Sequence, residues 1–122
     1  MGLKILLVVD DQPSVAQVLK DQFESEGYAV LIAGTGQEAV NLVKQTQLAA
    51  VLLDLALPDM NGFQVLSKIK ELKPNLPVVM VTGNHEESEA RKAFDMGVVD
   101  YVTKPIDFKY LKNILLIQSN DF

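Results

Sequence analysis

The chain contains no cysteine. That absence excludes thiolate zinc sites, iron–sulfur clusters, redox-active thiol pairs and a disulfide scaffold. Long apolar stretches are missing too. The longest run, Leu48 to Leu53, has six residues, whereas a helix crossing a bilayer needs about 20. No secretory pattern opens the chain, because Lys4 is followed only by the short apolar run Ile5 to Val9 before two acids arrive. Positive charge is in deficit: 11 lysines and arginines face 16 acids, for a net charge of −5 and a pI near 4.7. Direct binding of nucleic acid or of an anionic membrane is therefore not expected. The deficit lies in the first half. Residues 1–61 carry eight acids and three lysines, and residues 62–122 carry eight acids and eight basic residues. The excess negative charge thus accompanies Asp10, Asp11 and Asp54.

Apolar residues are plentiful, at 48% of the chain. A chain this long buries roughly two-thirds of its unfolded surface, so residues 1–122 are read as one domain with a real core. Strand-like and helix-like segments alternate throughout. Lys4–Val9 is a first strand, and Ser14–Glu26 a helix with Val15, Val18, Leu19 and Phe23 on one stripe, stopped by Gly27. Tyr28–Ala33 is a second strand. Thr35-Gly36-Gln37-Glu38 has the form of a capping box opening a helix to about Thr46, with Ala39, Val40 and Val43 inward. Ala49–Leu53 is a third strand. Gly62–Leu72 is a helix whose inward stripe is Phe63, Leu66 and Ile69. A fourth strand over Pro77–Val81 and a helix over Glu86–Met96 follow, the latter closed by Gly97. Asp100–Thr103 is a fifth strand, and Asp107 caps a last helix from Phe108 to about Ile117. Continuously apolar strands alternating with helices predict a parallel sheet covered on both faces, a doubly wound α/β sandwich.

In such sheets ligands bind beyond the carboxyl ends of the strands. There the first strand ends in Asp10-Asp11, the third in Asp54 and the fourth in Thr82, while the fifth runs into Lys104. Each residue has a plain alternative. Asp10 or Asp11 could cap the first helix. Asp54 could form a turn, Thr82 suits any strand, and lysines are mostly solvated. Their convergence on one sheet edge points to chemistry instead. Carboxylates gathered in one pocket repel unless protonated or neutralised by a cation, and one lysine does not cancel three of them. A hard divalent ion does, and magnesium suits oxygen ligands while keeping several waters. With no cysteine and one histidine, a soft metal is disfavoured. Carboxylate, metal, hydroxyl and ammonium together make a site for a phosphoryl group, with a carboxylate able to attack as nucleophile. His85, near the same edge, reads as a solvent-facing loop residue, and Met60, Met80 and Met96 as packing residues.

These residues resemble the receiver domain of two-component response regulators. The resemblance rests on the acidic pair Asp10-Asp11, the segment Asp54-Leu55-Ala56-Leu57-Pro58-Asp59-Met60-Asn61-Gly62, the triplet Val81-Thr82-Gly83, and Asp100-Tyr101-Val102-Thr103-Lys104-Pro105, in order and at family spacing. It implies a flavodoxin-like strand order 2-1-3-4-5, with helices on both faces of the sheet. It further implies that Asp54 is the phosphoacceptor. Asp11 would ligate magnesium directly and Asp10 mostly through water, with Asp54 and the Ala56 backbone carbonyl as further ligands. Thr82 and Lys104 would contact the phosphoryl oxygens, and Tyr101 would be the aromatic residue that turns inward as the threonine moves. Ala56 and Asn84 occupy the positions that tune dephosphorylation, and only Asn84 offers a polar group. Gly83 is small enough to leave the acceptor open. Pro58, Gly62 and Pro105 are structural, the last after a cis bond. By resemblance the domain is a cytoplasmic phosphorelay component, a self-catalysed phosphoacceptor with slow autodephosphorylation and not a turnover enzyme. Its partner would be a sensor histidine kinase or a phosphotransfer protein. Its switching face, the fourth helix, fifth strand and fifth helix, carries Arg91, Lys92, Lys109 and Lys112 among Glu86, Glu87 and Glu89, and is a candidate homodimer contact.

Three other readings compete with this one. A haloacid-dehalogenase-type phosphohydrolase needs a second acid two residues after its nucleophile, where this chain has Ala56. A flavin or nucleotide module needs a Gly- or Ser/Thr-rich phosphate loop after the first strand, where this chain has two acids. A receiver used only for docking, independent of phosphorylation, would not require the complete acidic set.

Overall fold

The computed structural model describes residues 2–118. Five strands alternate with five helices: β1 (Ile5–Val9), α1 (Pro13–Glu24), β2 (Ala29–Ala33), α2 (Gly36–Gln45), β3 (Ala50–Leu53), α3 (Gly62–Leu72), β4 (Val78–Thr82), α4 (Glu87–Asp95), β5 (Asp100–Thr103) and α5 (Phe108–Gln118). All neighbouring strands pair in parallel, in the order β2-β1-β3-β4-β5. The expected architecture and strand order are therefore present. Among the described residues no helix is long and apolar enough to cross a membrane.

Strand side chains alternate between two cores. Leu7, Val9, Val51, Leu53, Val78 and Met80 point to the face covered by α2, α3 and α4. Leu6, Val8, Leu52, Val79 and Val81 point to the face covered by α1 and α5. Both faces of the central strands are dry, which is why those strands read as unbroken apolar runs. The three methionines are packing residues as expected: Met80 is fully buried, and Met60 and Met96 pack against the first core. Gly27 and Gly97 end their helices at φ of 94° and 96°, values that favour glycine.

Three local expectations are corrected. The α1 stripe is rotated, since Ala16, Leu19 and Phe23 are the buried residues and Val18 is 46% exposed. Helix α1 also begins earlier than expected, at Pro13, whose missing N–H costs nothing in the first turn. The capping box at α2 is half formed. Thr35 Oγ1 accepts from Glu38 N at 3.1 Å, but the Glu38 carboxylate takes Gly34 N at 2.8 Å in place of its own cap residue. The reciprocal box occurs instead at α3, where Asn61 Oδ1 accepts from Phe63 N at 2.7 Å and Gln64 Oε1 accepts from Asn61 N at 3.0 Å.

Candidate functional site

The sheet ladder runs one residue past the strand ends and fixes the backbone of the site. Asp10 N donates to Ala33 O at 3.0 Å, Asp54 N to Val9 O at 3.0 Å, and Lys104 N to Thr82 O at 2.8 Å. Asp10 and Asp54 are thus the first positions beyond dry strands, where the side chain can meet water while the backbone stays paired, and Lys104 holds the same place after the half-buried β5. The result is a cleft of about 540 Å³ lined by Asp11, Asp54, Ala56, Thr82, Asn84 and Lys104, among others.

The carboxylates of Asp10, Asp11 and Asp54 converge, with one oxygen of each lying within 4.8 Å of the others. Asp10 and Asp54 are nearly buried, at 3% and 5% exposure, whereas Asp11 is exposed. Lys104 Nζ donates to Asp10 Oδ2 and to Asp54 Oδ2, both at 2.8 Å. The other oxygens take backbone donors: Asp10 Oδ1 accepts from Gln12 N at 2.9 Å, and Asp54 Oδ1 from Ala56 N at 3.2 Å. Neither Asp10 nor Asp11 caps α1, whose N-cap residue is Gln12 without a side-chain cap hydrogen bond; Asp10 takes Gln12 N in the turn before the helix and serves the cluster with its second oxygen. Burial works against the ammonium of Lys104. The hydrogen bonds to Asp10 and Asp54, and their charges, outweigh it and hold the lysine pKa above its ordinary value. Three carboxylates against one ammonium still leave the cluster anionic. Asp11 forms no hydrogen bond or ion pair among the described residues, and carboxylate oxygens keep lone pairs beyond one donor each. That all-oxygen donor set fits a hard divalent cation.

The loop after β3 is shaped by Gly62. A Cβ there would lie 2.5 Å from Asp54 O and 2.6 Å from Leu55 Cα, so only glycine allows the helix start to pass this close behind Asp54. Gly62 N closes the turn on Leu55 O at 2.9 Å, and Ala56 bridges Asn61 in antiparallel fashion. Pro58 lies exposed in the same loop. Gly83 is different, because a Cβ there would meet nothing within 4 Å. The mouth is open beyond it. The Lys104–Pro105 bond is cis.

Thr82 is 2% exposed, and its Oγ1 accepts from Asn84 N at 3.3 Å. Tyr101 is half-buried against the first core, and its hydroxyl donates to Asn84 O at 2.9 Å. The two switch candidates therefore meet at one residue, Asn84, through its two backbone groups. Burial, followed by the charges of Glu89, Glu86 and Asp54, raises the Tyr101 pKa. The Asn84 side chain turns to α4, with Oδ1 accepting from Glu86 N at 2.8 Å. His85 is exposed, as expected. Two participants escaped sequence reasoning. Gln12 places Oε1 3.5 Å from Lys104 Nζ, and Phe63 walls the cleft beneath Lys92, whose Nζ sits 4.4 Å from the ring centroid. Lys112 departs from its expected face. It bonds Gln22 at 2.9 Å and pairs with Glu26 at 3.6 Å, turned towards α1.

Comparison with known proteins gives a consistent picture. The family model for the response regulator receiver domain matches residues 6–116. The transcriptional regulatory protein SrrA of Staphylococcus aureus is 39% identical over 100 residues, which cover 82% of this chain and 41% of that protein. The chain thus spans about two-fifths of the length of the curated relatives it matches. A CheY-like receiver domain protein from Methanospirillum hungatei superposes with a TM-score of 0.89 at 32% identity, over 96% of this chain and 97% of the other. A response regulator from Burkholderia pseudomallei, solved with a phosphorylated aspartic acid, a calcium ion and citrate, superposes at 0.86 with 28% identity, over 92% and 66% of the two chains. With the fold, the acidic cluster and the family match in agreement, this chain belongs to the response regulator receiver domain family.

Proposed function

We propose that Asp54 accepts a phosphoryl group from a sensor histidine kinase or a phosphotransfer protein, with magnesium bound beside it. One observation carries the reading: a nearly buried carboxylate lies in an open cleft, tied to Lys104 at 2.8 Å and grouped with Asp10 and Asp11. Asp11, Asp54 and the Ala56 carbonyl would hold magnesium, with Asp10 acting through water. When bound, the ion supplies charge neutralisation for the incoming phosphoryl oxygens. An oxygen of the Asp54 carboxylate attacks phosphorus, the O–P bond forms, and the P–N bond to the donor imidazole breaks. The electron pair stays on that ring nitrogen, which takes a proton from solvent. Lys104 stays at the developing negative charge, and the Thr82 hydroxyl donates to a phosphoryl oxygen. Water later attacks phosphorus, releasing inorganic phosphate and restoring the carboxylate. The Ala56 side chain has no polar group to orient that water, so tuning falls to the Asn84 amide, whose Oδ1 is held by Glu86 N and whose NH2 group is left to meet it. This is one modification per cycle, not turnover of a separate substrate.

The signal leaves through Asn84. Drawing the Thr82 hydroxyl towards phosphorus alters its bond with Asn84 N, and the Asn84 carbonyl anchors Tyr101. The output face is α4, β5 and α5, where Phe94 and Tyr110 are 49% and 50% exposed. We propose self-association through this face. Phosphorus NMR with a small acyl phosphate tests the acceptor chemistry. A magnesium-dependent acyl-phosphate resonance, discharged by hydroxylamine, is expected. A resonance that forms equally in chelator would overturn the metal-dependent reading.

A further inference from the structure

Asp59 lies outside the cleft, yet it ties the acceptor loop to a different helix. Its Oδ1 accepts from Gly36 N at 2.7 Å and its Oδ2 from Gln37 N at 3.0 Å, across more than twenty residues of chain. These are orphan amides of the first turn of α2, of which Thr35 satisfies only Glu38 N. A carboxylate at a helix N-terminus meets both hydrogen-bond donors and a favourable dipole. The neighbouring Met60 packs where a Gly36 Cβ would be, 2.3 Å from its Cγ. Gly36 is therefore the residue that lets the loop approach. The loop is then pinned at both ends: at its base by Gly62 N to Leu55 O, and at its tip by Asp59 on α2. Ala56 lies between the pins, with its N–H on Asp54 Oδ1.

We propose that Asp59 is a positioning residue, clamping the loop to α2 so that the Ala56 carbonyl and the Asp54 carboxylate stay aimed at the metal position. The clamp itself stands on this geometry alone; its consequence for the metal rests on the phosphoacceptor reading above. Asp59→Ala removes both bonds, and Asp59→Asn keeps one oxygen acceptor. Thr35→Ala weakens the same end of α2 without touching the loop and serves as the control. Two readouts are taken on the full chain: amide exchange of Gly62 in chelator, and magnesium affinity from amide shifts. In Asp59→Ala, Gly62 exchanges several-fold faster and magnesium binds about tenfold more weakly, the scale of losing a support behind a metal ligand. Asp59→Asn falls between Asp59→Ala and wild type, and Thr35→Ala matches wild type in both readouts. The proposal is overturned if Asp59→Ala leaves either readout unchanged, or if Thr35→Ala reproduces both effects. A wild-type protein that binds no magnesium overturns the metal reading and the positioning role together. Gly62 exchange, measured without metal, still tells that outcome from an unclamped loop.

Discussion

Replacing Lys104 by methionine keeps most of the side-chain stem and deletes the one cation inside the cluster. In the wild type its Nζ donates at 2.8 Å to Asp10 and to Asp54, whose side chains are 3% and 6% exposed, and the lysine side chain is itself only 18% exposed. Hydrogen bonds to charged groups contribute about 1.5–3 kcal/mol each, and removing one partner of a buried ion pair costs about 3–5 kcal/mol. The cleft opens to water beside the exposed Asp11, which favours the lower end. A loss of about 3 kcal/mol is expected in chelator, against a total stability of about 5–15 kcal/mol for a domain of this kind. In a chain of this length that lowers the melting midpoint by roughly 10 °C. Magnesium reverses the ranking of responses. With the ammonium gone, the ion is the only compensating charge, so the stabilisation by saturating magnesium is larger in Lys104→Met than in wild type. Calorimetry of both proteins, in chelator and in millimolar magnesium, reads all four values. A Lys104→Met protein within about 0.5 kcal/mol of wild type in chelator, the range of an ordinary surface change, would refute the reasoning. So would a magnesium response no larger than that of wild type.

Other outcomes follow from the same geometry. Asp11→Ala relieves like-charge repulsion and raises stability in chelator, by no more than about 1 kcal/mol because Asp11 is exposed, so the melting midpoint rises; a lower midpoint would contradict this. Thr82→Ala still permits modification of Asp54, at a lower rate for want of the hydroxyl's bond to the phosphoryl group, and removes its effect on self-association, read by sedimentation with and without a phosphoryl mimic; equal responses in the two proteins would sink the Thr82–Asn84–Tyr101 route. The raised pKa values of Lys104 and Tyr101 set the alkaline limit. Above their ordinary values, 10.5 and 10.0, the folded chain holds protons that the unfolded chain releases, so stability declines as pH rises. Urea midpoints that do not fall above pH ~10 would contradict that sign.

The site was legible because its residues terminate apolar strands. A run such as Ala50–Leu53 that stops at an acid announces both a buried strand and a polar group at its edge. The backbone bonds of Asp10, Asp54 and Lys104 to neighbouring strands show why that inference is physical. The Asp59 clamp was not legible, because no periodicity links residues more than twenty apart. A faint signal exists: α2 opens with Gly36 and Gln37 amides that Thr35 does not satisfy, which leaves room for a remote acceptor or for water. Val18 was misplaced because apolar identity fixes a stripe only to within one position, and Ala16 took the buried slot. Lys112 was misplaced because a lysine stem reaches either flank of its helix, and Glu26 and Gln22 lay on the other side.

Intact-mass measurement after incubation with a small acyl phosphate and magnesium tests the central claim most directly, applied to wild type and to Asp54→Asn side by side. The account predicts one added phosphoryl group on wild type, mapped to the peptide containing Asp54, and none on the variant. A wild-type protein that stays unmodified, or an adduct of equal yield on Asp54→Asn, would contradict it.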